Sequence, residues 1–262
     1  MGINLIDFDT NIGRQKPENI RHKDAPCPFC DREHLTNILD VEDDMILLRN
    51  KYNVVRGSEQ FVLIEGKDCE SDMPAYSRER MHRLIRFGVR HWQTMIHSGK
   101  YESVLFFKNY GPYSGGTIRH PHMQIVAFPH LAEKELYLPQ EFKGATVFEC
   151  EGTRLTVSDC PRIGFWEFNV IPASLAPEAI DTTADYIQVS VDYIMHHFGA
   201  NVNSYNIFFY QDPKHEAQIY VKVLPRFATP PLYIGYAIRL RPTNLNAAVK
   251  ELRELYPKGT VR

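Results

Sequence analysis

One segment, residues 105–126, constrains the fold of this chain more than any other. Its first three residues, Leu-Phe-Phe, predict a strand that runs into Asn109. A loop with three glycines follows, and a second strand is expected to carry His120, His122 and Gln124 on one face and apolar residues on the other. Side chains two apart on a strand point to the same side. We therefore expect His122 and Gln124 to face whatever the glycine loop binds.

The composition of this segment predicts a phosphate site with a nucleophile beside it. Glycines let backbone N–H groups approach a ligand closely and form an anion-binding concavity. An imidazole that faces such a cradle can attack phosphorus. A His-x-His pair alone would be weak support, because most such pairs are ordinary surface or core histidines. The prediction depends on the whole segment.

A second motif near the amino terminus indicates metal binding. Two of the five cysteines form Cys27-Pro28-Phe29-Cys30, a spacing that can bring two thiolates to one zinc ion. A thioredoxin-type redox site is the alternative, but no strand is predicted before the motif and no clear helix after it. A pair of buried, unreactive thiols also remains open at this point.

The central segment resembles the active site of a known enzyme family. His-Pro-His-x-Gln, with Asn-x-Gly and Gly-Gly-Thr upstream, is similar to the active-site segment of galactose-1-phosphate uridylyltransferases, the transferase branch of the histidine-triad (HIT) superfamily. The resemblance implies that His122 is the nucleophile and that Gln124 steadies the phosphoryl oxygens. The residues that match the family's phosphate loop are Asn109, Gly111, Gly115, Gly116 and Thr117.

The same resemblance implies a nucleoside pocket at Asn50-Lys51-Tyr52. The family has an Asn-acid-Phe sequence there, and its acid holds the ribose hydroxyls. Asn50 and Tyr52 are thus expected to bind substrate, with Tyr52 stacking on a base. Lys51 stands where the acid would be and cannot accept a hydrogen bond from a ribose hydroxyl. The identity of the nucleotide is left open.

The resemblance also implies a structural zinc site. In the family the Cys-x-x-Cys pair is completed by a later His and by the first His of His-Pro-His, which assigns Cys27, Cys30 and His120 here. The remaining ligand falls in the stretch after a predicted strand at 61–64, where Cys69 stands in the position of the family's His. We predict Cys69 as this ligand, with Asp68 as the alternative.

The second half of the chain repeats the first in outline. Residues 207–210, Ile-Phe-Phe-Tyr, correspond to residues 105–108. The offset of about 100 residues is close to the length of one small domain. We predict an α+β fold of two tandem HIT-like halves, each an antiparallel sheet with a packed helix. The predicted domains are a catalytic half over 1–145 and a degenerate half over 146–262.

The second copy is expected to lack the chemistry of the first. Tyr220 and Lys222 are expected where the first half has His120 and His122, so we predict no second metal site. Lys222 could add charge to a shared phosphate pocket, or be solvated or paired with a carboxylate. Arg119, which is outside the family pattern, could add charge at the phosphate site or point to solvent.

These features predict a nucleotidyltransferase. It would move a nucleoside monophosphate from a nucleotide sugar, or another nucleoside diphosphate compound, to a sugar phosphate or phosphate acceptor through a covalent nucleotidyl-histidine. A hydrolase or phosphorylase of dinucleoside polyphosphates or nucleotide sugars is one alternative. The hydrolase branch usually has a His where Gln124 stands, which favours transfer. A non-catalytic nucleotide-binding protein is the other alternative.

Bulk properties exclude some partners. The formal net charge of −2 gives no general attraction to nucleic acid or to a membrane surface. The first residues lack the features of a signal peptide, and no apolar run approaches the roughly 20 residues that span a bilayer. We therefore expect a cytoplasmic protein that binds neither nucleic acid nor membrane. The family resemblance implies a homodimer.

Overall fold

A computed structural model describes residues 5–131, 137–199 and 202–261. In these residues the strands of the first half are β1 (Ile38–Glu42), β2 (Met45–Arg49), β3 (Glu59–Ile64), β4 (Ser103–Tyr110) and β5 (His122–Phe128). Those of the second half are β6 (Gly144–Cys150), β7 (Thr153–Ser158), β8 (Phe168–Ile171), β9 (Tyr205–Gln211) and β10 (Ile219–Pro225). The helices are α1 (Thr10–Gly13), α2 (Arg78–Ile96), α3 (Pro177–His196), α4 (Pro231–Tyr236) and α5 (Leu245–Leu255).

All ten described strands join one antiparallel sheet in the order β1-β2-β3-β5-β4-β9-β10-β8-β7-β6. The two halves meet at its centre, where β4 pairs with β9 and Phe107 lies opposite Phe208. The predicted α+β fold of two tandem halves is confirmed. The two predicted sheets form one continuous sheet, because β4 of the first half pairs with β9 of the second. This pairing covers the edge that each half would otherwise expose at the junction.

Helices α2 and α3 cover one face of this sheet. Ser77 caps α2 by accepting a hydrogen bond from the backbone N–H of Arg80, and the helix buries an apolar stripe that includes Leu84 and Trp92. This stripe packs against alternate sheet residues such as Met123. The intervening residues of β5, His122 and Gln124, therefore lie on the opposite face, which the long helices leave uncovered.

The second long helix begins earlier than its polar residues indicate. Asp181 and Thr182 are natural N-cap candidates, but α3 begins at Pro177, whose fixed φ suits the first helical position. Asp181 instead forms an ion pair with Arg86 of α2. Among the described residues, no helix is long and apolar enough to cross a membrane.

Candidate functional site

The open face of the first half contains a cleft of about 380 Å³. It lies between the glycine loop, strand β5, and the residues that follow β2. Eight of the predicted catalytic and substrate-binding residues line it: Asn50, Tyr52, Asn109, Gly115, Gly116, Thr117, His122 and Gln124. The sequence separates these residues by up to 74 positions, and the antiparallel pairing of β2, β3, β5 and β4 brings them together.

Gly111 is the predicted loop residue that does not line the cleft. Its φ is +83°, and a Cβ there would lie 2.2 Å from the carbonyl oxygen of Asn203. Glycine is required at this position because the loop leaves β4 in a left-handed conformation and passes close to the second half. Gly115 also has a positive φ, of +88°, but it borders the cleft.

His122 has a defined tautomer. Its Nδ1 lies 2.7 Å from the carbonyl oxygen of His120, which can only accept a hydrogen bond. Nδ1 therefore carries the proton, and Nε2 keeps its lone pair. Phe29 packs edge-on against the imidazole at 5.3 Å between ring centroids. Burial lowers the pKa of His122 to about 4, and the charge of Lys108 adds to this effect, so the ring is neutral near pH 7.

Strand β5 begins at His122, so His120 lies just before it and the prediction that both histidines share one strand face is corrected. The two residues separate because Pro121 has no backbone N–H to pair with a neighbouring strand. The His120 ring is directed toward Cys27 and Cys30. The ring of His122 is the one that lines the cleft.

Cys27, Cys30, Cys69 and His120 form one cluster in which all ligand atoms lie within 4.8 Å of one another. Nδ1 of His120 is 3.6 Å from Sγ of Cys27 and 3.5 Å from Sγ of Cys30. Tetrahedral zinc would separate a thiolate and an imidazole ligand by about 3.6 Å. Nε2 of His120 donates to the Gly66 carbonyl at 2.9 Å, which leaves Nδ1 as the ligand atom.

The donor set of three cysteines and one histidine therefore fits a structural metal site. Burial raises the pKa of Cys27, but the adjacent His120 ring and the backbone N–H groups of Phe29 and Cys30 lower it to about 6. Cys69 occupies the position that the sequence left between two candidates. Asp68 is exposed and instead accepts a hydrogen bond from the backbone of Glu70.

Arg119 and Lys222 lie away from the phosphate loop. Arg119 forms an ion pair with Glu70 at 3.0 Å, beside the cysteine cluster. Lys222 is fully buried, and its Nζ lies 3.0 Å from Glu167. Neither side chain lines the cleft. Lys222 is thus paired with a carboxylate, as one of its interpretations expected, whereas the ion pair of Arg119 with Glu70 matches neither interpretation of that residue.

Lys16 is a cleft residue that the motif analysis did not identify. It belongs to the amino-terminal arm, which Asn19 fastens to the glycine loop by donating its backbone N–H to the Thr117 carbonyl at 2.9 Å. Lys16 lines the cleft together with Thr117, and burial lowers its pKa. In the sequence, the only indication that Lys16 could bind an anion is that it belongs to an amino-terminal segment with several cationic residues.

The predicted nucleoside-binding residues form a short turn that also lines the cleft. The side-chain oxygen of Asn50 accepts a hydrogen bond from the backbone N–H of Tyr52 at 2.9 Å. This bond holds the backbone of Tyr52, which is one of the residues that line the cleft. Lys51 is exposed, and its Nζ lies 5.9 Å from the centroid of that ring.

Comparison with known proteins places the chain among proteins of one fold. Residues 8–131 and 134–257 match the models of the N-terminal and C-terminal domains described as domain of unknown function DUF4931. A crystal structure of a DUF4931 family protein from Bacillus cereus ATCC 10987 is 38% identical and has a TM-score of 0.75, covering 84% of this chain and 100% of that one. Comparison with curated proteins gave no match.

Two enzymes share the fold at lower identity. A structure of uridylyltransferase has a TM-score of 0.70 at 13% identity and covers 90% of this chain and 92% of that one. An ADP-glucose phosphorylase from Arabidopsis thaliana with bound ADP-glucose has a TM-score of 0.70 at 16% identity, covering 96% of this chain and 99% of that one. The resemblance to the uridylyltransferase branch is thereby confirmed for the fold.

Proposed function

We propose that this chain, which belongs to the DUF4931 family, transfers nucleoside monophosphates through a covalent intermediate on His122. The observation that carries the proposal is the hydrogen bond from Nδ1 of His122 to the His120 carbonyl. It leaves the Nε2 lone pair of a buried imidazole at a cleft bordered by a glycine loop. A nucleophile needs such a lone pair and a site that receives the phosphoryl group.

The proposed reaction has two steps. Nε2 of His122 attacks the α-phosphorus of a nucleotide sugar, an N–P bond forms, and the bond to the leaving sugar phosphate breaks. A phosphate oxygen of the acceptor then attacks the same phosphorus and releases the histidine. Backbone N–H groups of the loop, Thr117 and Gln124 would donate to the phosphoryl oxygens, and Lys16 would supply positive charge.

The donor class follows from the fold relatives as well as from the cleft. One relative is a uridylyltransferase, and the Arabidopsis relative binds ADP-glucose. Tyr52 offers a ring on which either base could stack. We therefore propose a nucleotide sugar as the donor. A sugar phosphate as the acceptor gives transfer, and inorganic phosphate gives the phosphorylase that the Arabidopsis relative exemplifies.

Isotope exchange tests the reaction class. The protein is mixed with UDP-glucose or ADP-glucose and labelled glucose 1-phosphate, and incorporation of label into the nucleotide sugar is followed. Transfer through His122 predicts exchange without a third substrate, and its loss in His122→Asn. His215→Ala, an exposed histidine of the second half, is the matched control and should exchange normally.

The other products separate the alternatives. Formation of nucleoside diphosphate only when inorganic phosphate is added would indicate a phosphorylase. Free mononucleotide without an acceptor would indicate hydrolysis. Binding of nucleotide with no turnover of any kind would contradict the proposed enzyme and leave a binding protein.

We also propose that the Cys27, Cys30, Cys69 and His120 cluster holds zinc. A closed site of four protein ligands is structural, and it would tie the Cys-x-x-Cys turn to the residues just before β5. Metal analysis of the purified protein should find about one zinc per chain, as one tetrahedral site requires. Cys69→Ala should lose it and Cys160→Ala, outside the cluster, should keep it. Equal zinc content in both variants would contradict the assignment.

A further inference from the structure

The second half contributes a buried amide to the border of the cleft. Asn206 on β9 pairs directly with Asn109 on β4 and is only 2% exposed. Its Nδ2 donates to Oδ1 of Asn109 at 2.6 Å and to the carbonyl oxygen of Ser114 at 3.0 Å. Both amide protons are used, and both acceptors belong to the glycine loop or to the strand that leads into it.

The backbone carbonyl of Ser114 determines how these amides are oriented. A carbonyl oxygen accepts hydrogen bonds and never donates them, so the atom of Asn206 that faces it must be Nδ2. The second proton of Nδ2 then needs an acceptor, which makes Oδ1 the atom that Asn109 turns toward Asn206. The NH₂ group of Asn109 is left for the cleft that this residue lines.

We propose that Asn206 is a positioning residue that fixes Asn109 with its NH₂ group available to the anionic group bound in the cleft. A phosphoryl oxygen can only accept hydrogen bonds, so this orientation stabilises it and the inverted one would place a carbonyl oxygen against it. That the bound anion is a phosphoryl group rests on the function proposed above. The orientation of the two amides does not.

Other contacts hold the loop backbone without Asn206. Ser204 Oγ accepts a hydrogen bond from the backbone N–H of Tyr113 at 3.1 Å, and Arg226 Nε donates to the Tyr113 carbonyl at 3.3 Å. Removal of the Asn206 side chain therefore leaves the loop attached to the second half. Its specific contribution is the orientation of Asn109.

Two substitutions of Asn206 distinguish a residue that orients the Asn109 amide from one that only holds the glycine loop in place. Asn206→Asp keeps the shape but offers only acceptors, so it should draw the NH₂ group of Asn109 toward itself and invert that amide. Asn206→Ala removes both bonds and leaves Asn109 free to rotate. Nucleotidyl transfer should fall by about 10²- to 10³-fold in the Asp variant, as for loss of an oriented donor, but only about tenfold in the Ala variant.

Asn169→Asp is the matched control. Asn169 is also fully buried in the second half, and its Oδ1 accepts from Lys222 Nζ at 2.9 Å, far along the sheet from the cleft. A carboxylate beside that lysine should leave transfer unchanged. KM for the donor should rise less than kcat falls in Asn206→Asp. Equal losses in the Asp and Ala variants, or no loss in either, would overturn the proposal.

Side-chain amide exchange tests the orientation without any turnover. In protein labelled with ¹⁵N-asparagine, both amide protons of Asn206 should exchange slowly with solvent, and those of Asn109 should exchange faster. In Asn206→Asp an Asn109 proton should become protected. Protected Asn109 protons in the unaltered protein would overturn the proposal. If no nucleotide sugar is turned over, the proposed function fails, and this exchange pattern still decides the role of Asn206.

Discussion

The two halves each bury a lysine in the sheet, but on opposite faces. Lys108 of the first half lies on the face covered by α2 and α3, 2.5 Å from Glu65 and 3.3 Å from Asp72. Lys222 of the second half lies on the open face, between Glu167 and Asn169. In the first half the open face is therefore left for His122 and the cleft. In the second half that face is filled by the protein's own ion pair.

Taking Phe107 and Phe208, which pair across the junction of the two halves, as equivalent residues relates the halves residue by residue. Phe107 and Phe208 pair at the centre of the sheet, and they pair in turn with Gln124 and Lys222. About this central pair, Lys222 corresponds to Gln124, and Tyr220 corresponds to His122. This choice of equivalent residues places Lys222 two residues from the position of His122, to which the sequence comparison matched it. The two halves share the strand arrangement of the sheet, while the polar side chains on its open face differ.

The largest contrast is expected in stability. Lys108→Met would leave two buried carboxylates without a cation and should cost about 3–5 kcal/mol of unfolding free energy. Burial lowers the pKa of Lys108, but the attraction of Glu65 and Asp72 outweighs it and raises that pKa. For Lys222, burial prevails and its pKa is lowered. Lys222→Met should therefore cost less, and urea unfolding of both variants measures the difference. Equal losses of unfolding free energy in the two variants would contradict this difference between the halves.

A substitution on the cleft face should affect chemistry and leave stability unchanged. Gln124→Glu places a carboxylate where the phosphoryl oxygens are expected, and the rate of nucleotidyl transfer should fall about 10²-fold. Single-turnover kinetics measures this rate. Lys222→Gln is the counterpart in the second half, because it installs the first half's residue at the corresponding position. It should leave the transfer rate unchanged, and a comparable loss there would show that the halves are not functionally distinct.

Lys16 should have a smaller effect, confined to the first half. Lys16→Ala removes a partly buried cation from the cleft, and KM for the nucleotide sugar should rise about tenfold, as for a lost charged hydrogen bond. Steady-state kinetics at two salt concentrations checks this. Lys23→Ala, in the same arm but outside the cleft lining, should leave KM unchanged. A similar rise in both variants would indicate general charge loss.

The smallest effect is expected from an attempt to restore the second site. Tyr220→His places an imidazole at the position corresponding to His122, but the second half has no glycine loop beside it. The double variant His122→Ala, Tyr220→His should therefore form no nucleotidyl adduct. An adduct on residue 220 would show that the strand position alone is sufficient for the chemistry.

Much of the site could be predicted because its residues are close in sequence. Asn109, Gly115 and His122 lie within one strand-loop-strand unit, and period-two alternation gives the face. Asn206 and Lys16 could not be predicted in this way. Their roles depend on the pairing of β4 with β9 and on the path of an irregular arm, and neither leaves a periodic pattern in the sequence.

The metal cluster illustrates the same limit. The Cys-x-x-Cys spacing placed Cys27 and Cys30 together, and the family resemblance added His120. The sequence favoured Cys69 over Asp68, but the position of the Cys69 thiol within the cluster needed the structure, because the direction of a side chain in a loop is not fixed by alternation. The start of α3 shows a related limit, since Asp181, a residue type favoured at N-caps, lies inside the helix and forms an ion pair with the other long helix.

The most direct test of the account is intact-protein mass spectrometry after mixing with UDP-glucose, ADP-glucose or diadenosine tetraphosphate, followed by peptide mapping. A covalent intermediate on His122 predicts an acid-labile adduct of a single UMP or AMP, located on the peptide that contains His122 and absent from His122→Ala. Turnover that persists in His122→Ala, or an adduct on any other residue, would contradict it.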